Sequence, residues 1–202
     1  GVQIRTLGRS VLYTYQKLIE KKDTLSAPPE GSYQGVYLDE LVSHHPSLFQ
    51  GLKEEEELEA GKRAGKILLE KVKEDLKLLQ VSFDAYFPES SLYEKGKIDQ
   101  SLEALQKTGN LFEEEGAVWF RSTAFGDDKD RVLKKQDGSY TYFTPDIAYH
   151  RDKFSRNYDL YINVWGADHG GYVPRIRAAL SALGFDSHQL KVPLIQMVNL
   201  KR

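Results

Sequence analysis

The chain has 202 residues, 28 Lys and Arg against 30 Asp and Glu for a formal net charge of −2, and 40% hydrophobic residues. This is the balance of an ordinary soluble globular protein with core enough for one large domain or two small ones, and it excludes a global basic field, so any nucleic-acid contact needs a local patch. Cysteine is absent and no apolar run approaches the roughly eighteen residues of a membrane span, which excludes a disulfide scaffold, thiolate metal sites and a membrane partner, and fits a cytoplasmic protein.

The chain opens on Gly1 with neither an initiator Met nor a signal-peptide h-region, so it is expected to start inside a longer reading frame. Ile4, Leu7, Val11, Tyr15 and Leu18 recur at helical spacing and predict a helix over 2–21. Pro28-Pro29 and Gly31 predict a loop over 23–35, followed by a short segment at 33–38. The longest helix is predicted over 53–80, with Gly65, Leu68, Val72, Leu76 and Leu79 on one side and Glu54–Glu57 as a solvated face at its N-terminus. Residues 81–87 read as a strand or loop closed by Pro88, and 97–108 as a helix stopped by Gly109-Asn110. Ala117–Thr123 alternates in β fashion. Asp137-Gly138, between Arg131–Lys134 and Ser139–Phe143, signals a hairpin with both central residues at positive φ.

The last third predicts β-α-β-α-β: a strand at 140–143, a helix from Pro145, a strand at 160–165, a helix at 172–183 capped by Gly184, and a strand at 192–198. That order implies an α/β fold with parallel strands and right-handed crossovers, in which ligands gather at the carboxyl ends of the strands. The residues after each strand are therefore the candidates for function.

After the first strand, Thr144 suits an N-cap, Pro145 the first helical position and Asp146 the helix dipole. Asp146 at the ligand edge could also take a guanidinium through a bidentate pair, with Tyr142 as a hydroxyl partner or aromatic wall. After the second, Gly166-Ala167-Asp168-His169-Gly170-Gly171 lets a backbone approach a ligand and turns helix N–H groups toward an anion. Asp168 could hold ribose hydroxyls or an ammonium group, and His169 a nucleotide or an amino acid. This is no P-loop, because no Gly-Lys-Ser or Gly-Lys-Thr is present. Gly126–Arg131 fails the calcium-loop spacing and reads as a charged loop at a hairpin end. With His44-His45 adjacent and His150 and His188 isolated, no metal constellation is expected. Hydrolase chemistry has no foothold without a Gly-x-Ser-x-Gly elbow or a Cys-His pair.

Trp119–Leu133, Tyr140–His150, Val164–His169 and Gln196-Met197-Val198, in that order, resemble the catalytic domain of the class I arginyl-tRNA synthetases, and Gly1-Val2-Gln3 resembles the tail of that family's Asn-Asp-Ala-Gly-x-Gln segment. The resemblance implies the second half of a Rossmann-like class I synthetase domain with a helical and β-hairpin insertion. It divides the chain into a mainly helical part at 1–90, an antiparallel β insertion at 91–139 and the β-α-β-α-β half at 140–202. It implies that Tyr142, Asp146 and His169 contact L-arginine. It assigns Gly166, Asp168, His169, Met197 and Val198 to ATP, with Mg2+ accompanying the nucleotide and tRNA(Arg) as the other substrate of a monomeric parent. The family's His-Ile-Gly-His and Lys-Met-Ser-Lys-Ser elements do not occur in these residues, so the 202-residue piece alone is expected to form no adenylate. A non-catalytic arginine- or nucleotide-binding module, a structural or protein-interaction domain, and another class I synthetase are the alternatives.

Overall fold

The computed structural model describes residues 1–22 and 27–199; residues 23–26, part of the expected loop, and 200–202 lie outside the described residues. The chain forms two compact units, Gly1–Ala85 and Tyr86 onward.

The first unit is helical: α1 (Val2–Leu18), α2 (Val36–His44) and α3 (Glu57–Leu78). Leu7, Val11 and Tyr15 of α1 are buried, as their spacing predicts, against Leu38, Leu41 and Val42 of α2, Ala60 and Ala64 of α3, and Phe49. Helix α2 replaces the short segment expected at 33–38. It starts after Gly35, whose φ of +142° ends the preceding extended chain. The buried positions of α3 are Ala60, Gly61 and Ala64, while Gly65, Leu68 and Leu76 of the expected stripe are half-buried. Val72 and Leu79, expected on the core side, are exposed. The glutamate run is not a plain solvated face either. Lys53 N donates to Glu56 Oε2 at 2.9 Å, closing the turn before α3. Glu57 pairs with Arg5 and Arg9 of α1, each at 3.2 Å.

Helices α1 and α3 touch backbone to backbone. A Cβ on Gly8 would stand 1.6 Å from the Glu57 carbonyl oxygen, and one on Gly61 would stand 1.9 Å from that of Ile4. No side chain can yield there, so the helices themselves must move apart. Alanine gains about 1 kcal/mol of helix propensity over glycine, whereas overpacking of this severity costs about 3 kcal/mol. Gly61→Ala is therefore expected to lower the unfolding free energy by roughly 2 kcal/mol, read by urea denaturation.

The second unit opens with α4 (Ser90–Glu94) and α5 (Lys97–Lys107), then an antiparallel sheet in the order β1 (Leu111–Glu114), β2 (Ala117–Phe120), β3 (Arg131–Lys134). Strand β1 has no counterpart in the sequence reading: its Phe-Glu-Glu run hides the alternation. Its turn is Glu115-Gly116, both residues at positive φ (51° and 74°); the expected turn at Asp137-Gly138 is present as well, bringing Tyr140 antiparallel to Lys134 with Lys135 N donating to the Ser139 carbonyl at 2.8 Å. At that second turn only Gly138 has positive φ (80°), and Gly138 N donates to the Lys135 carbonyl at 2.9 Å, a turn closed by one left-handed residue. The predicted strand at 140–143 reduces to a single antiparallel bridge between Lys134 and Tyr140. The β character expected through Thr123 stops at Phe120, and Ser122–Phe125 form a 3-10 turn.

Helix α6 (Phe143–Phe154) follows, then β4 (Tyr161–Ile162), β5 (Trp165–Gly166), α7 (Val173–Ala182), β6 (Leu190–Lys191) and β7 (Leu194–Ile195). The expected parallel pairing is present: β4 with β6, and β5 with β7 in the register Trp165↔Leu194, Gly166↔Ile195. Each long predicted strand is split in two. Pro193 has no N–H to give the ladder, although its carbonyl still accepts from Trp165 N at 3.1 Å. Leu111, Phe120 and Leu133 of the antiparallel sheet share one core with Phe143, Ile147, Ile176, Leu180 and Leu190. Thr144 is not the N-cap. Helix α6 begins two residues earlier, with Tyr142 at the cap position, and the buried Thr144 hydroxyl donates to the Leu133 carbonyl at 2.6 Å, tying α6 to β3.

Candidate functional site

Asp146 lies on the first turn of α6, where the pairing of α6 with β3 fixes its position. It lines a cleft of about 190 Å³ with Phe87, Glu89, Leu92, Pro145 and Tyr149. Phe87 and Tyr149 form an aromatic wall, their centroids 5.0 Å apart. The cations Lys97 and Arg156 flank Phe87 at 5.8 and 5.9 Å and are themselves bonded to Asp152. Two carboxylates and two aromatic rings thus line one small cleft. Carboxylate oxygens only accept hydrogen bonds, and aromatic faces are electron-rich, so the cleft suits a flat cation rich in N–H donors.

The pKa of Asp146 is raised, chiefly by burial. The Glu89 charge adds to the rise, while a hydrogen bond from Tyr172 and nearby His169 oppose it. That hydrogen bond, Tyr172 Oη to Asp146 Oδ2, is 2.7 Å long. The backbone of Asp146 is anchored as well. Its carbonyl lies 2.7 Å from His150 Nδ1, which must therefore carry the proton. His150 Nε2 then accepts from Asn163 Nδ2 at 2.8 Å, and Asn163 Oδ1 accepts from Lys153 Nζ at 2.6 Å. Buried His150 is a strut behind the cleft. Burial, with the Lys153 charge adding, lowers its pKa to about 4 although the bond to Asp146 opposes this. In the unfolded chain the imidazole takes its proton near 6.5, so the unfolded state binds more protons between these values. Stability from neutral His150 is full above pH 6.5 and is lost as pH falls through the folded value. The loss is expected to reach about 3 kcal/mol, measured as unfolding free energy against pH.

Tyr142 precedes α6 and is 89% exposed, and it does not line the cleft that holds Asp146. Gly166 ends β5 and leads into the 3-10 segment Ala167–Tyr172. The Asp168 carboxylate folds back over Gly166, where a Cβ would meet its Oδ1 at 2.4 Å. Asp168 Oδ2 lies 3.5 Å from His169 Nε2, both side chains largely exposed. Met197 and Val198, each 80% exposed, follow the carboxyl end of β7, the strand paired with β5. Gly166, Asp168, His169, Met197 and Val198 therefore share one edge of the parallel sheet. Trp165 joins that edge to the cleft: its ring contacts His150, His169 and Tyr172 at centroid distances of 6.2, 6.4 and 6.1 Å.

Sequence reading missed Glu89, Tyr149 and Tyr172 as site residues. Glu89 and Tyr149 had no signal, since nothing in the pattern links residue 89 to residue 146. Tyr172 had one: it ends the glycine-rich segment after a predicted strand. Among the described residues no group of three or more His, Cys, Asp or Glu could hold a metal ion, and no helix is long and apolar enough to cross a membrane.

The family profile "tRNA synthetases class I (R), catalytic domain" matches residues 39–199. Among curated proteins the chain is similar to the arginine–tRNA ligases of Anoxybacillus flavithermus (48% identity) and Bacillus licheniformis (49%), over 99% of this chain and 36% of each relative. The chain thus spans about a third of the length of the curated relatives it matches. A crystal structure described as an arginyl-tRNA synthetase from Campylobacter jejuni superimposes with a TM-score of 0.89 at 37% identity, covering 98% of this chain and 43% of that one.

Proposed function

We propose, for a chain that belongs to the family of class I (R) tRNA synthetase catalytic domains, that it supplies the amino-acid and nucleotide subsites of an arginine–tRNA ligase. The observation that carries this reading is the cleft in which Asp146 and Glu89 face aromatic walls, the donor-hungry environment a guanidinium requires. Asp146 and Glu89 would take the arginine side chain, and the exposed Tyr142 would reach the bound amino acid from the edge of the site. Asp168 and His169, beside Gly166, would hold the ribose and the amino-acid backbone. The chain at Met197-Val198 would lie along the adenine.

In the reaction the arginine carboxylate attacks the α-phosphate of ATP and pyrophosphate leaves. The terminal ribose hydroxyl of tRNA(Arg) then takes the arginyl group and AMP leaves. The residues of this chain contribute by holding and orienting the reactants. Mg2+ would enter with ATP, as the counter-ion of its phosphates. The test is amino-acid-dependent ATP–pyrophosphate exchange and tRNA charging by the full-length protein with each of the standard amino acids. Arginine alone is expected to give signal. Signal with a different amino acid and none with arginine would overturn the reading, and binding of arginine without exchange would point to the non-catalytic module.

A further inference from the structure

Tyr172 lies between the two halves of the site. It closes the segment that carries Asp168 and His169, yet its hydroxyl is bonded to Asp146 at 2.7 Å. Its ring cannot swing freely. Phe143 meets it edge-on at 5.9 Å, Trp165 packs at 6.1 Å, and the Arg175 guanidinium sits over its face at 4.7 Å. We infer that Tyr172 is a positioning residue for arginine binding, holding Asp146 as an ionised acceptor turned to the cleft; this rests on the guanidinium reading of that cleft.

Burial and the neighbouring Glu89 charge push Asp146 toward taking a proton. A protonated carboxyl would offer an O–H to a guanidinium that has only N–H donors, and the pair would fail. A hydroxyl that donates to Oδ2 favours the ionised form and leaves Oδ1 for the ligand. Burial, the Asp146 charge and the hydrogen bond to it hold the Tyr172 phenol above its usual range, with Arg175 and Arg131 opposing, so the hydroxyl keeps its proton and donates. The other ionisable groups facing the pair are Glu89 and Tyr93 from the α4 side and His169 from the segment after β5.

The test uses the full-length protein and Tyr172→Phe, which keeps the ring and removes only the hydroxyl. The KM for arginine is expected to rise about tenfold, with kcat and the KM for ATP changed less than about twofold. The acidic limb of kcat/KM for arginine is expected to move to higher pH, a shift that a merely structural role would not produce. 4-Aminophenylalanine placed at position 172, which keeps the ring and sets an N–H donor where the hydroxyl lies, is expected to recover part of the arginine KM and covers the case in which the phenylalanine variant folds poorly. The inference is overturned if both variants leave the arginine KM and the acidic limb unchanged, or if kcat falls while KM stays. Asp146→Asn separates the two levels. If it raises the arginine KM while Tyr172→Phe does not, only the role of Tyr172 fails. If it too leaves KM unchanged, the guanidinium reading fails with it.

Discussion

Asp146→Asn is expected to raise the KM for arginine by at least about 30-fold in the full-length protein, since removing one partner of a buried charge pair costs roughly 2–5 kcal/mol. The amide keeps the size of the carboxylate, and its oxygen can still accept from Tyr172, so the fold should survive. It cannot serve the ligand. One acceptor becomes an N–H₂ that faces the N–H groups of a guanidinium, and the charge is gone while Glu89 alone remains. The KM for ATP should change little, because Asp168, His169 and Met197-Val198 sit at the other edge of the site. Aminoacylation kinetics with arginine and ATP varied in turn would measure both. An arginine KM within a few-fold of the parent value would sink the assignment of Asp146.

The second large effect concerns stability. Sequence reading took Gly126–Arg131 for a charged loop at a hairpin end, yet its Asp127 side chain is only 2% exposed. Arg131 binds it through two N–H groups, at 2.8 and 2.9 Å, and the Ser122 hydroxyl and Asp128 N–H donate to it at 3.0 and 2.9 Å. Burial by itself would raise its pKa. The hydrogen bonds from Arg131, Asp128 and Ser122 outweigh that and hold it well below the usual carboxylate range. Asp127→Asn turns a donor toward the Arg131 guanidinium and leaves that buried charge only the largely exposed Asp128 carboxylate as counter-ion. The expected cost is about 3–5 kcal/mol in urea unfolding. The sign with pH follows from the lowered value. The contribution is present above the unfolded carboxylate pKa near 3.9 and is lost only as pH falls below the normal carboxylate range. The acid limb of stability should therefore be shallower in Asp127→Asn than in the parent.

Much of the fold was legible where local chemistry decides it. The 3.6-residue period of α1 and of Lys97–Lys107, and the parallel pairing of β5 with β7, follow from apolar spacing and strand-helix alternation. Two of the misses share one cause: a tertiary contact overruled the local signal. Thr144 has the chemistry of a cap, but a buried carbonyl on β3 takes its hydroxyl. Ser139–Phe143 has the composition of a strand, but only Lys134 finds Tyr140 across from it before α6 begins. Within the candidate site, Asp168 and His169 were legible because they follow a strand, and Asp146 because it opens a helix after an expected strand that forms only a single bridge. Glu89 was not, because it reaches the cleft from a segment more than fifty residues earlier in the chain.

The two carboxylates of the cleft also bear on a competitor that size could never exclude. Citrulline has nearly the shape and length of arginine, but a carbonyl oxygen replaces one nitrogen and the charge is lost. In a cleft whose polar wall is Glu89 and Asp146, that oxygen would face lone pairs instead of giving them protons. Rejection would then come from repulsion and from carboxylates left unpaired, with no steric gate required.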